Sequence, residues 1–262
     1  MQLEFHQVDA FSHRPFSGNP AMVYRLDGWL GDSLMQQIAG EHNLAETAFL
    51  VKEGAAWRIR WFTPSAEVPL CGHATLASAK VLFDCYGEAG EAIDFVCRSG
   101  PLRVTREGER LVLDFPTAQT REVPVTAALE QALGLPVLAA FQGEELMAVI
   151  DSEQALRACQ PDLRALAGLP GLGVIVTAPG ERHDFVSRYF APAIGIDEDP
   201  VTGSTHCSLI PYWARRLGKQ TLRAYQCSPR GGELHCRLQG ERVKIAGDAV
   251  LVASGRLVLS EA

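Results

Sequence analysis

Hydrophobic and polar positions alternate along residues 3–11, LEFHQVDAF, the period-two pattern of a strand with one buried face. Ser17-Gly18-Asn19-Pro20 then supplies turn formers ahead of a second short strand at 21–25. Leu34, Met35 and Ile38 follow at helical spacing, and Asp32 or Ser33 is placed to cap that helix. Residues 46–52 and 57–63 read as a strand pair around Glu53-Gly54. Three more strands are expected at 92–97, 101–106 and 110–115, separated by Ser99-Gly100 and Glu107-Gly108-Glu109. Between these groups runs GHATLASAKVLFDCYG, starting at Gly72, small or apolar nearly all round. A surface helix keeps one polar face, so this run is expected to be a helix enclosed by protein.

The second half of the chain repeats the plan. WFTPSAEVPLCGH at 61–73 and YFAPAIGIDEDPVTGS at 189–204 share aromatic-Phe-x-Pro, an acid, and Pro-x-x-Gly leading into a helix-like run. Gly18 and Met22 recur 125 residues later as Gly143 and Met147, and Pro64 recurs 128 later as Pro192. Pro69 and Gly72 recur 131 later as Pro200 and Gly203, so a three-residue insertion separates the last two blocks. Arg98, Gly100, Leu102, Gly108, Glu109 and Arg110 recur 132 later as Arg230, Gly232, Leu234, Gly240, Glu241 and Arg242. Helices are expected at 126–133 and 152–158, and strands near 138–142, 145–150, 172–178 and 184–190. The run at 203–218 takes the place of the first enclosed helix, with Pro211 kinking it or marking an irregular first turn. Two halves are expected, 1–117 and 118–262, with the last strand able to return to the first half and a site between them. Two copies are too few for a solenoid.

Composition narrows the class. A chain of 262 residues with 47% hydrophobic and 21% charged residues suits a soluble globular protein. The net charge of −7 argues against nucleic acid or an anionic membrane as partner, while leaving room for an anionic small molecule at a local site. No apolar run is long enough to span a membrane, and the charged, alternating start reads as a strand rather than a signal peptide. Seven scattered cysteines without a CxxC pair favour reduced thiols in a cytoplasm.

Four stretches are dense in reactive groups. In Asn43-Leu44-Ala45-Glu46-Thr47, Glu46 is either a strand-end carboxylate in water or a desolvated proton shuttle. In Leu70-Cys71-Gly72-His73, the glycine lets backbone approach a ligand and the helix start aims N–H groups at it; the plain alternative is a capped helix with an incidental histidine. In the stretch 197–206, DEDPVTGSTH, the acids are macrodipole partners of a helix start or part of a matched anion site. Phe16-Ser17-Gly18-Asn19-Pro20, taken alone, is a turn. The repeat places Thr202, not Cys207, opposite Cys71, which argues against a two-thiol racemase. A metal site from Cys71, His73, Asp199 and His206 matches no familiar ligand spacing, and none is expected.

These four stretches, in this order, resemble the PhzF family of phenazine biosynthesis-like proteins: FSGNPA at 16–21, NLAET at 43–47, CGHAT at 71–75 and EDPVTGS at 198–204. The likeness runs from residue 5 to the C-terminal strand. It implies an α+β fold of the diaminopimelate epimerase kind, two pseudo-symmetric halves each with a barrel-like sheet around a central helix. It further implies a cofactor-independent isomerase, in the phenazine pathway moving a proton within a dihydro-hydroxyanthranilate ring. By that resemblance Glu46, His73 and Asp199 are the catalytic residues, and Gly72, His73, Gly203 and Ser204 bind a small carboxylate substrate. A homodimer is expected on the same ground. The rivals are a racemase in which Cys71 works with Glu46 or His73, and a carboxylate-binding protein without catalysis.

Overall fold

The computed structural model describes residues 1–259, which divide into two compact units. The first comprises residues 1–114 together with the segment from 246 onward, and the second residues 115–245. In chain order the first unit contains β1 (Gln2–Ala10), β2 (Asn19–Leu26), α1 (Asp32–His42), β3 (Glu46–Glu53), β4 (Ala56–Phe62), β5 (Glu67–Val68), α2 (Gly72–Asp84), β6 (Ala92–Cys97), β7 (Gly100–Glu107) and β8 (Arg110–Pro116). The second contains β9 (Arg121–Val123), α3 (Ala127–Leu133), β10 (Ala139–Gln142), β11 (Leu146–Val149), α4 (Glu153–Ala158), α5 (Leu163–Leu166), β12 (Val174–Pro179), β13 (Phe185–Ala191), β14 (Ile196–Asp199), α6 (His206–Leu217), β15 (Thr221–Gln226), β16 (Gly232–Gln239) and β17 (Arg242–Gly247). A last strand, β18 (Ala249–Val258), pairs with β1 in the first unit.

The two units share one pairing order. In the first, β1, β2, β3, β4, β6 and β7 pair successively as antiparallel, parallel, antiparallel, parallel and antiparallel neighbours. In the second, β10, β11, β12, β13, β15 and β16 follow the same alternation. Parallel neighbours cannot be joined by a hairpin, so each parallel step needs a crossover. α1 and α2 are the crossovers of the first unit, α4–α5 and α6 those of the second. The strand that follows the eighth position changes unit both times: β9 pairs with β10, and β18 with β1.

Helix α2 is enclosed, as its composition predicts. From Gly72 to Phe83 every residue but Lys80 is buried, and the helix packs on β1, β2, β3, β7 and β18. Alanines 74, 77 and 79 let strands close in, and the hydroxyls in its interior are satisfied within the helix: Thr75 donates to the Cys71 carbonyl and Ser78 to Ala74.

Three local expectations need correction. No side chain caps α1: its N-cap is Gly31, and Asp32, already helical, pairs with Arg60 at 2.8 Å. α6 begins at His206 rather than Gly203, because residues 203–205 form tight turns whose carbonyls accept from the N–H groups three residues on. It also buries only one face, leaving Arg215 and Arg216 exposed. Pro211 lies inside it, and the Cys207 carbonyl it cannot serve accepts from the Ala118 N–H at 3.0 Å instead.

At Gly18, φ is +69° and an added Cβ would lie 2.2 Å from the Ala10 carbonyl oxygen, a backbone atom that cannot step aside. Gly18→Ala is therefore expected to cost at least ~2 kcal/mol of stability. Denaturant unfolding checks it; an unchanged midpoint would contradict the close approach.

Candidate active site

The sequence places Glu46 at the first residue of β3 and Cys71-Gly72-His73 at the start of α2, and the fold brings them together. Glu46 Oε2 lies 3.1 Å from His73 Nε2, with the two side chains only 12% and 5% exposed. The approach is a charge contact rather than an aligned hydrogen bond, since neither atom has a hydrogen-bond partner among the described residues. The other imidazole nitrogen, Nδ1, lies 3.1 Å from Asn19 Nδ2 and 3.5 Å from Cys71 Sγ. Gly72 opens the helix with no side-chain cap, so its first-turn N–H groups point out of the helix end.

The electrostatics follow from this crowding. Burial opposes a charge on His73, but the Cys71 sulfur and the Glu46 carboxylate outweigh it and hold the imidazole pKa well above its ordinary value. Burial, then the Glu46 charge, push the Cys71 thiol up to about 11. Cys71 is consequently a poor thiolate at pH 7. An imidazolium needs acceptors on both nitrogens, and the Asn19 amide can present oxygen as well as nitrogen by a half-turn. Glu46, Cys71 and His73 also offer three donor atoms within 4.8 Å of one another, a set that could hold a metal ion.

The second unit carries the remaining candidates at the equivalent corner. Asp199 ends β14, 8% exposed, and its Oδ2 accepts the Thr202 hydroxyl. Gln226, fully buried at the end of β15, accepts from the Thr202 N–H at 2.8 Å and donates to the Asp199 carbonyl at 2.8 Å. Ser228 Oγ donates to the Pro200 carbonyl at 2.8 Å. Arg188 grips Glu198 with two hydrogen bonds of 2.7 and 2.9 Å. The loop ahead of Gly203 and Ser204 is thus tied at nearly every residue; Gly203 is buried and Ser204 exposed.

His206 belongs to the scaffold. It is fully buried, and its Nδ1–H donates to the Thr202 carbonyl at 2.8 Å, as Thr75 does to Cys71 at the matching place in α2. Two polar anchors escaped the sequence reading. Asn19 was legible only as part of a turn, and Gln226 is a lone polar residue that strand pairing alone brings beside Asp199.

Register identifies the counterpart of Glu46. Ala21 pairs with Glu46, and Leu146, 125 residues after Ala21, pairs with Val174. Val174 is apolar and 1% exposed, so the second unit has no carboxylate where the first has Glu46.

Comparison with known proteins places this arrangement. The model of the phenazine biosynthesis-like (PhzC-PhzF) family matches residues 8–255. An uncharacterized isomerase of Pseudomonas aeruginosa is 69% identical over 261 residues, covering 99% of this chain and 100% of the relative. The crystal structure of a PhzF-family phenazine biosynthesis protein from Enterococcus faecalis superposes with a TM-score of 0.97 at 50% identity, over 99% of this chain and 100% of that one. A hydroxyproline epimerase from Agrobacterium vitis, 11% identical, matches 99% of this chain and 93% of its own with a TM-score of 0.63, a likeness of fold.

Burial pushes the His206 pKa down to about 4. The unfolded chain takes up a proton below about pH 6.5 that the folded chain refuses until about 4. The neutral histidine's contribution, about 3 kcal/mol, is present above pH 6.5 and lost as pH falls through 4. Denaturant unfolding at pH 7 and 4 is expected to show that loss, and His206→Gln to shrink it; an equal loss in the variant would contradict the assignment.

Proposed function

The chain belongs to the phenazine biosynthesis-like (PhzF) family and is an isomerase, and we propose that it shifts a proton within a small carboxylate substrate through Glu46 as the single acid and base. The observation that carries this reading is the buried Glu46–His73 contact at the start of α2, with Val174 at the matching place in the second unit.

The steps balance without an added reactant. Glu46 takes a proton from a carbon next to the substrate's carboxylate or an adjoining alkene, and the bonding electrons spread into that conjugated group. The same carboxyl then returns the proton to another carbon, giving an isomer and the starting carboxylate. The His73 imidazole and the first N–H groups of α2 at Gly72 and His73 favour the negative charge that develops. The family resemblance assigns Asp199, Gly203 and Ser204 of the second unit a part in holding substrate. The tied loop from Asp199 to Thr202 suits that role by keeping them in place before binding.

A cysteine-assisted racemase has one observation in its favour, the 3.5 Å approach of Cys71 Sγ to His73 Nδ1. Against it, a thiol pushed up to about 11 is poorly ionised at neutral pH, the reverse of what a thiol base needs.

Incubation with trans-2,3-dihydro-3-hydroxyanthranilate in deuterated water, followed by NMR, tests whether the ring chemistry implied by the family resemblance extends to this chain. On that compound, or any substrate a wider screen of carboxylates finds, Glu46→Gln is expected to lower kcat by roughly 100-fold or more. Full turnover by that variant would exclude Glu46 as the carrier. Cys71→Ser is expected to keep most of the activity, and iodoacetamide at pH 7 to leave the folded enzyme active; loss of activity tracking alkylation of Cys71 would restore the racemase.

A further inference from the structure

Phe16 stands apart from the other phenylalanines. Its side chain is 78% exposed, and its backbone sits at φ +67°, a region bulky L-residues enter only at a conformational cost. Phe11 shares a positive φ, 60°, but its ring is fully buried, so core packing offsets the backbone there. Phe16 has no such packing among the described residues.

Polar groups hold the strained loop instead. Asp9, 1% exposed, accepts the Phe16 N–H at 2.7 Å. The Ser12 and Ser17 hydroxyls, both buried, lie 2.6 Å apart, and each reaches the Arg14 carbonyl. Gly18 then turns the chain at a point with no room for a side chain. The product of this arrangement is a benzyl ring standing in water.

The second unit has no such loop, since β10 and β11 are joined by only three residues, 143–145. The phenylalanine 125 residues on, Phe141, lies instead within β10 opposite Met147, half-buried and edge-on against Tyr212, ring centroids 5.2 Å apart. Asn19, three residues after Phe16, reaches within 3.1 Å of His73 Nδ1. Three residues span at most about 10 Å, so the Phe16 backbone lies within that distance of Asn19.

We propose that the Phe16 ring is an apolar wall of the substrate site, a specificity-determining residue that packs on the carbon skeleton of the bound carboxylate. The proposal rests on the reading of the Glu46–His73 corner as that site. A wall already fixed in position before binding loses little freedom when the substrate arrives, which is the advantage of holding the loop at a cost. The free ring gains nothing for the fold and recovers its exposure only when a ligand covers it.

The test compares benzoate with acetate by titration calorimetry, in the wild type and in Phe16→Asn, asparagine being a residue that tolerates positive φ. The wild type is expected to bind benzoate at least tenfold more tightly than acetate. In Phe16→Asn that ratio should fall below threefold with acetate affinity unchanged, Phe16→Tyr should restore it, and the melting temperature of Phe16→Asn should not drop. Equal binding of the two acids by the wild type, or an unchanged ratio in Phe16→Asn, would remove the wall while leaving the carboxylate site standing. A lower melting temperature, or dissociation of an oligomer in sedimentation, would assign the ring to packing or to contact between copies. Binding of neither acid by the wild type would overturn the carboxylate reading itself, and the wall with it.

Discussion

A carboxylate and an imidazole buried within 3.1 Å of each other at a helix start form the constraint on which the first unit depends. Charges in such a place are costly unless each has a partner, so Glu46 and His73 must arrive together. β3 delivers the first from the parallel neighbour of β2, and α2 delivers the second from the interior of the strands around it. The side chains of Asn19 and Cys71 close the other edge of the imidazole. Small residues along the enclosed helix, Gly72, Ala74, Ala77 and Ser78, let the strands approach this end of it.

The duplication shows what the fold supplies and what the chemistry adds. Strand order, crossovers and the change of unit after the eighth strand are common to both units. Side chains at matched places are not. Cys71 has Thr202 as its counterpart, His73 has Ser204, and Glu46 has Val174. The first unit's corner is equipped to move a proton; the second unit's corner is a set of tied polar groups around Asp199. The symmetry is therefore one of scaffold, and single-base chemistry is the reading that this asymmetry favours.

Much of this is legible in the sequence, because each signal is local and periodic. The enclosed character of α2 followed from its lack of a polar face, and the strands around Glu53-Gly54 and Glu107-Gly108-Glu109 from alternation and turn residues. Repeated motifs fixed the corresponding positions in the two halves. Elements of two to four residues, such as β5, β9, β14 and α5, carry no readable period. The delayed start of α6 escaped because Gly203 resembles Gly72 in sequence while its carbonyl closes a tight turn. Asn19 and Gln226 owe their roles to partners 54 and 24 residues away, and no local pattern encodes such contacts.

The central claim is that one carboxyl both removes and returns the proton. Its most direct test is the stereochemical course of isomerisation in deuterated water, read by NMR of the labelled product. A single base reaches only one face of the substrate, so whatever deuterium enters by exchange at the carboxyl is predicted on the face from which the proton departed. Delivery to the opposite face would require a second acid and would contradict the assignment of Glu46 as sole carrier.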